Sequence, residues 1–234
     1  MRTFLTSDSD FRKLNFFLVG FILFFMEKKR AVIIGASVIQ DYQRIKSYFK
    51  KDDFFIFCDG GLKHSEFLET VPDLIVGDFD SYEKANFLQE TIVLPCEKDD
   101  TDTFFAAKEA CKRGFSEFLL VGVAGLRLDH TFANLSILLY LDNLKFNALL
   151  VDDYSEMQIV SEGKSCSVEE KFSFFSVINL DGSAEKISIS GAKYPLTDSE
   201  IPCDYQFGIS NEVLRGETAL VSVKKGRVLL IKIF

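Results

Sequence analysis

Asp78 and Asp80, two aspartates separated by a single residue, are the first candidates for chemistry in this chain. In an extended segment, residues two apart point to the same side, so both carboxylates can face one ion. Carboxylate and water oxygens are what Mg²⁺ prefers, with substrate phosphates commonly completing its shell. A third acid, Asp102, arriving from another loop would make a phosphate–metal site. Lys98 and Arg127 could neutralise phosphate charge, the arginine by bidentate contact. Any one of these acids is more simply a turn residue or a helix cap. Four such clusters recur, which favours a shared site over isolated turns and caps: Asp59-Gly60-Gly61, Gly77-Asp78-Phe79-Asp80-Ser81, Lys98-Asp99-Asp100-Thr101-Asp102 and Gly125-Leu126-Arg127-Leu128-Asp129-His130.

The elements that must carry these clusters follow from the apolar runs. Arg30–Ala36, Phe54–Cys58 and Leu74–Val76 are short, continuously apolar and stopped by glycine or aspartate, the pattern of strands buried on both faces. Further strands are expected at Ile92–Leu94, Phe118–Val123 and Ala148–Val151. Helices are expected over Gln40–Lys51 and near 83–89, 102–113 and 130–142. Alternating strands and helices imply a parallel sheet covered on both faces. In such a sheet, ligands bind outside the carboxyl ends of the strands, where the acidic clusters fall. No dinucleotide fingerprint or P-loop string is present. His64, on a helix after Gly61, reads as structural or exposed. His130, next to an acid at a helix start, is either a first-turn residue or a general base.

After Asp153 the texture changes to short segments that often alternate apolar with polar: Met157–Val160, Ser165–Val168, Ser173–Ile178, Lys186–Ile189, Ala219–Val223 and Val228–Ile233. Turns at Asp181-Gly182, Arg215-Gly216 and Lys225-Gly226 separate several of them. This predicts a smaller antiparallel β-sandwich behind the α/β domain.

With 27 basic against 35 acidic residues, the net charge of −8 argues against a nucleic-acid-binding surface. The 25 phenylalanines are therefore read as core filling rather than base stacking. Five scattered cysteines without a CxxC pair suggest thiols in a reducing cytoplasm. Phe16–Met26 is an apolar run of eleven residues, too short for a membrane-spanning helix, which needs about 20. Translation starting at Met26, a peripheral membrane anchor and a secretion signal are the three readings of residues 1–25.

Taken in order, the strings CDGG (58–61), PDLIVGDFDS (72–81), EKDDTD (97–102) and GLRLDHTFAN (125–134) resemble thiamine pyrophosphokinase of the bacterial type. The resemblance covers about residues 30–234 and does not extend to 1–25. It implies transfer of pyrophosphate from ATP to the thiamine hydroxyl, giving thiamine diphosphate and AMP. It also implies Mg²⁺, and a homodimer with active sites at the subunit interface. The expected layout is an α/β catalytic ATP-binding domain (26–152) and a β-sandwich thiamine-binding domain (153–234), behind an N-terminal extension (1–25) that the resemblance does not cover.

By motif position, Asp78, Asp80 and Asp102 match the acids that hold metal and phosphates. Asp59, Gly60, Ser81, Lys98, Thr101 and Arg127 fall on the ATP side, with Cys58 where the family usually has alanine. Asp129 is a candidate general base. In the C-terminal half, the GAKYPL string (191–196) and the FGISN string (207–211) resemble thiamine-facing segments. They assign Tyr194, Gly208, Ser210 and Asn211 to that substrate. The rival readings are a pyrophosphokinase for another alcohol such as a hydroxymethylpterin, an aspartyl phosphatase built on Asp78 and Asp80, and a non-catalytic thiamine or nucleotide sensor.

Overall fold

The computed structural model describes residues 30–79, 89–95, 97, 99–125, 127–182 and 184–234. Its core begins with β1 (Arg30–Ile34), a strand buried on both faces. Ala31 and Ile33 point to one side, Val32 and Ile34 to the other, as the two-residue period of a strand requires. On the first side they meet helix α3 (Asp102–Lys112) and helix α4 (Leu128–Asn143). The alanines of α3 (Ala106, Ala107, Ala110) let that helix sit close to the sheet. On the second side lie α1 (Tyr42–Lys46), a 3₁₀ turn (Asp59–His64) and α2 (Ser65–Leu68), contributing Ile45, Leu62 and Leu68. An apolar layer on each face explains why these strands read as continuous hydrophobic runs.

Strands β2 (Asp53–Cys58), β3 (Leu74–Gly77) and β4 (Glu90–Val93) add in parallel on one flank of β1. Strands β5 (Glu117–Val121) and β6 (Asn147–Val151) add in parallel on the other. The sheet then continues without a break into the C-terminal half. β7 (Ser155–Ser161) pairs antiparallel with β6, and the order is β4-β3-β2-β1-β5-β6-β7-β13-β9. A second sheet, β11-β10-β12-β8, packs against the far end of the first. Its members are β8 (Ser165–Glu169), β10 (Glu185–Ser190), β11 (Leu196–Ser199) and β12 (Thr218–Lys225). It faces β9 (Phe174–Ile178) and β13 (Arg227–Ile233) across a core of Val177, Leu230, Ile187 and Val221. The antiparallel sandwich expected from the sequence is present, with one of its layers hydrogen-bonded to the parallel sheet.

Two local expectations change. The helix expected over Gln40–Lys51 is only Tyr42–Lys46. Ser47 Oγ donates to the Arg44 carbonyl at 2.6 Å, and the Arg30 guanidinium takes the Tyr48 carbonyl at 2.7 Å. Both remove acceptors that a longer helix would use. Strand β11 carries a single apolar residue, Leu196, and so gives no strand signal in the sequence. The helix expected near 83–89 falls almost wholly outside the described residues. Among the described residues, no helix is long and apolar enough to cross a membrane.

Candidate active site

The chain builds outward from β1 to β4, then crosses back by α3 to place β5 on the opposite flank of β1. That reversal opens a crevice beyond the carboxyl ends of β1 and β5. Its floor depends on two glycines. A Cβ on Gly35 would lie 2.6 Å from the Gly122 carbonyl oxygen, and one on Gly122 would lie 2.7 Å from the Gly35 oxygen. Gly122 also has φ +62°. Only a hydrogen fits at either place, and the strand ends meet there.

Above this floor is a cavity of about 520 Å³. The segment after β1 supplies Ala36, Ser37 and Val38. The segment after β2 supplies Cys58, Asp59 and Gly60, and Asp78 follows β3. The start of α3 brings Thr101, Asp102 and Thr103, while Arg127, His130 and Asn134 come from the α4 side. Asp59, Gly60, Asp78, Thr101, Asp102 and Arg127, widely separated in sequence, thus line one space. Asp80, Ser81 and Lys98 lie outside the described residues. Among the described residues, no three acidic, histidine or cysteine side chains converge closely enough to hold a metal ion.

Local structure explains how the acids are presented. Asp59 sits at φ 36°, a left-handed conformation that turns the chain sharply from β2 into the 3₁₀ turn; aspartate tolerates it better than most residues. Thr101 caps α3, its Oγ accepting from the Phe104 amide at 3.2 Å, so Asp102 is the first helical residue. A carboxylate there is favoured by the positive end of the helix dipole. At the rim, Arg127 donates to both oxygens of Asp129, at 3.1 and 2.5 Å. The hydrogen bond from Arg127 is the main reason the Asp129 carboxyl is held down to about 2. Asp129 itself is exposed and does not line the cavity.

Sequence reasoning missed Ser37 and Asn134. Asn134 is buried and donates from Nδ2 to the Val123 carbonyl at 2.7 Å, locking α4 against the segment after β5. It is the terminal residue of the GLRLDHTFAN string, but its role shows only once α4 and β5 are juxtaposed. His64, expected to be structural or exposed, is buried.

Tyr194, Gly208, Ser210 and Asn211 gather at a second place, beside β9 at the far end of the large sheet. The Val177 amide donates to the Gly208 carbonyl at 2.7 Å, and the Ser210 amide donates to Ser176 Oγ at 3.1 Å. Asn211 is buried. Its Oδ1 accepts from the Tyr194 amide at 3.0 Å, and its Nδ2 donates to the Tyr194 carbonyl at 2.7 Å. That side chain is committed to holding Tyr194, whose ring stands exposed with Phe207 and Ile209 nearby in the chain. None of the four lines the 520 Å³ cavity.

A carboxylate-lined crevice at the reversal point of a parallel sheet is where an open α/β fold takes its ligand. Residues 45–150 match the family model described as thiamin pyrophosphokinase, catalytic domain, and residues 165–228 match thiamin pyrophosphokinase, vitamin B1 binding domain. The thiamine pyrophosphokinase of Bacillus subtilis is 25% identical over 169 residues, covering 69% of this chain and 78% of that one. The solved structure of a B. subtilis thiamine pyrophosphokinase superposes with a TM-score of 0.77 at 22% identity, covering 88% of this chain and 99% of that one. An Enterococcus faecalis family protein gives 0.72 at 26% identity, with 88% and 99% covered. The thiamin pyrophosphokinase of Candida albicans gives 0.68 at 14%, with 90% of each chain covered. The chain belongs to the thiamin pyrophosphokinase family.

Proposed function

We propose that this enzyme is a thiamine diphosphokinase and that the cavity beyond β1 and β5 binds its ATP. The carrying observation is the convergence of Asp59, Asp78, Asp102 and Arg127 on that cavity, together with the match of the C-terminal half to a vitamin B1 binding domain. The thiamine hydroxyl oxygen attacks the β-phosphorus of ATP. An O–P bond forms, the bond from the β-phosphorus to the bridging oxygen breaks, AMP leaves with that oxygen, and the hydroxyl proton passes to solvent. Positioning and electrostatic stabilisation carry such a transfer, with no covalent intermediate.

Asp59, Asp78 and Asp102 line the cavity, and carboxylate oxygens are the donors that a hard divalent cation takes. Asp78, Asp80 and Asp102 are the residues that would hold Mg²⁺, which when bound neutralises charge on the phosphate oxygens. Arg127 orients and neutralises the polyphosphate at the rim, while Thr101 keeps Asp102 at the helix start. Free cysteines and ATP as substrate suit a cytoplasmic enzyme.

The geometry of the sheet supports a homodimer. Tyr194 and Ser210 lie beside β9, four strands beyond β5, or roughly 19 Å at normal strand spacing. Reacting atoms must come within about 3.5 Å. Thiamine held at that end of one chain therefore reaches ATP in the cavity of a second chain. The vitamin B1 binding match disfavours a pterin as acceptor.

The test is thiamine-dependent AMP release from ATP. Asp102→Asn and Asp80→Asn each lower kcat by about a hundredfold or more while leaving the fold intact. ADP as the stoichiometric product would reject the assigned reaction.

A further inference from the structure

The segment after β1 forms a wall of the cavity, and side chains outside the site fix its position. The Ser37 amide donates to the Gly122 carbonyl at 2.8 Å, across the crevice floor. Its carbonyl accepts from His64 Nε2 at 2.8 Å. A carbonyl can only accept, so this ring carries its proton on Nε2, and Nδ1 is left to accept from the Tyr42 hydroxyl, also at 2.8 Å. His64 is 2% exposed. The adjacent Lys63 Nζ donates to the Ala36 carbonyl at 2.5 Å. At the other end of the segment, the Asp153 carboxylate accepts from the amides of Gln40 at 2.9 Å and Asp41 at 2.8 Å.

The outcome is a residue held at both its backbone donor and its backbone acceptor. Ser37 Oγ lies 3.3 Å from where a Cβ on Gly125 would be, and makes no hydrogen bond among the described residues. Ser37 lines the cavity and His64 does not.

We propose that His64 is a positioning residue for nucleotide binding: as the Nε2–H tautomer, it sets the Ser37 peptide so that the Ser37 hydroxyl donates to an oxygen of bound ATP. This rests on the ATP assignment of the cavity. It adds two residues that neither charge nor motif marks, one touching the nucleotide and one acting through it. Tyr42 completes the chain by holding the ring in that tautomer.

The test uses the full chain and two readouts: steady-state kinetics for each substrate, and calorimetric binding of a non-hydrolysable ATP analogue with Mg²⁺. Ser37→Ala and His64→Ala each raise the KM for ATP and weaken analogue binding about five- to tenfold, the effect of one lost hydrogen bond. The KM for thiamine stays unchanged and kcat stays within about threefold. His64→Gln restores both values, because a glutamine amide carries a donor and an acceptor at nearly the spacing of the two ring nitrogens.

Wild-type ATP affinity in Ser37→Ala overturns the proposal. So does a His64→Gln variant as impaired toward ATP as His64→Ala, or an equal rise in both KM values. Should His64→Ala fail to fold, Ser37→Ala and His64→Gln still decide. A wild-type chain that binds the analogue but releases no AMP with thiamine present rejects the assigned reaction, and the binding series still judges His64.

Discussion

The ion pair between Arg127 and Asp129 limits what Asp129 can do. Its carboxyl is held at about 2, chiefly by the Arg127 hydrogen bond. The folded state thus binds this proton more weakly than the unfolded chain. The pair's contribution to stability is present above the ordinary aspartate range and is lost as pH falls through about 2. A carboxylate so weakly basic is inefficient at taking a proton near neutrality. The expectation for Asp129→Asn is an unchanged pH–rate profile between about pH 6 and 8, with a several-fold rise in the KM for ATP as Arg127 loses its partner. An acidic limb that moves in this variant would return the role of base to Asp129.

The cavity-lining residues legible from sequence were those whose chemistry is intrinsic. Asp59 and Asp78 are acids just after strand ends, Asp102 is an acid at a helix start, and Arg127 is a cation in a loop that follows a glycine. Ser37 and Asn134 escaped because serine and asparagine are ordinary in loops and on helices. Their roles arise from backbone groups, at Gly122 and Val123, that only the folded sheet brings near.

Among the elements, those with one dominant hydrophobic period were legible to within a few residues. α3 was expected at 102–113 and runs Asp102–Lys112; β5 was expected at Phe118–Val123 and runs Glu117–Val121. The elements that misled are set by tertiary hydrogen bonds. Residues 47–51 have helical periodicity, yet the Arg30 guanidinium claims the Tyr48 carbonyl. The junction of β1 and β5 belongs to the same class, since nothing local in sequence says that Gly35 and Gly122 must touch. There, Gly122→Ala puts a Cβ 2.7 Å from the Gly35 oxygen on a residue at φ +62°. Strain and overpacking together should cost about 2–4 kcal/mol, read by urea denaturation. The KM for ATP should also rise, because the crevice floor widens. Wild-type stability in this variant would mean that the two strand ends have room to separate.

At the scale of the whole molecule, the unbroken sheet is what separates the two proposed substrate regions. Running β5-β6-β7-β13-β9, it sets the proposed thiamine residues four strands beyond the proposed ATP cavity. The segment carrying Gly208 and Asn211 covers the outer edge of β9 and turns Tyr205, Phe207 and Ile209 toward solvent. Exposed aromatic and aliphatic side chains along a covered edge suit burial against another subunit. In a two-fold dimer, each site then takes its cavity from one chain and its Tyr194 and Ser210 from the other. Subunit mixing tests this directly. Asp102→Asn disables the cavity, and the double variant Tyr194→Ala/Ser210→Ala disables the thiamine end, so each homodimer is inactive. Unfolded together and refolded in equal amounts, they give about half mixed dimers, each with one intact site, and hence about a quarter of wild-type activity. Sites contained within single chains would leave the mixture as inactive as its parents, and a monomer by sedimentation at micromolar concentration would equally exclude a site shared between subunits.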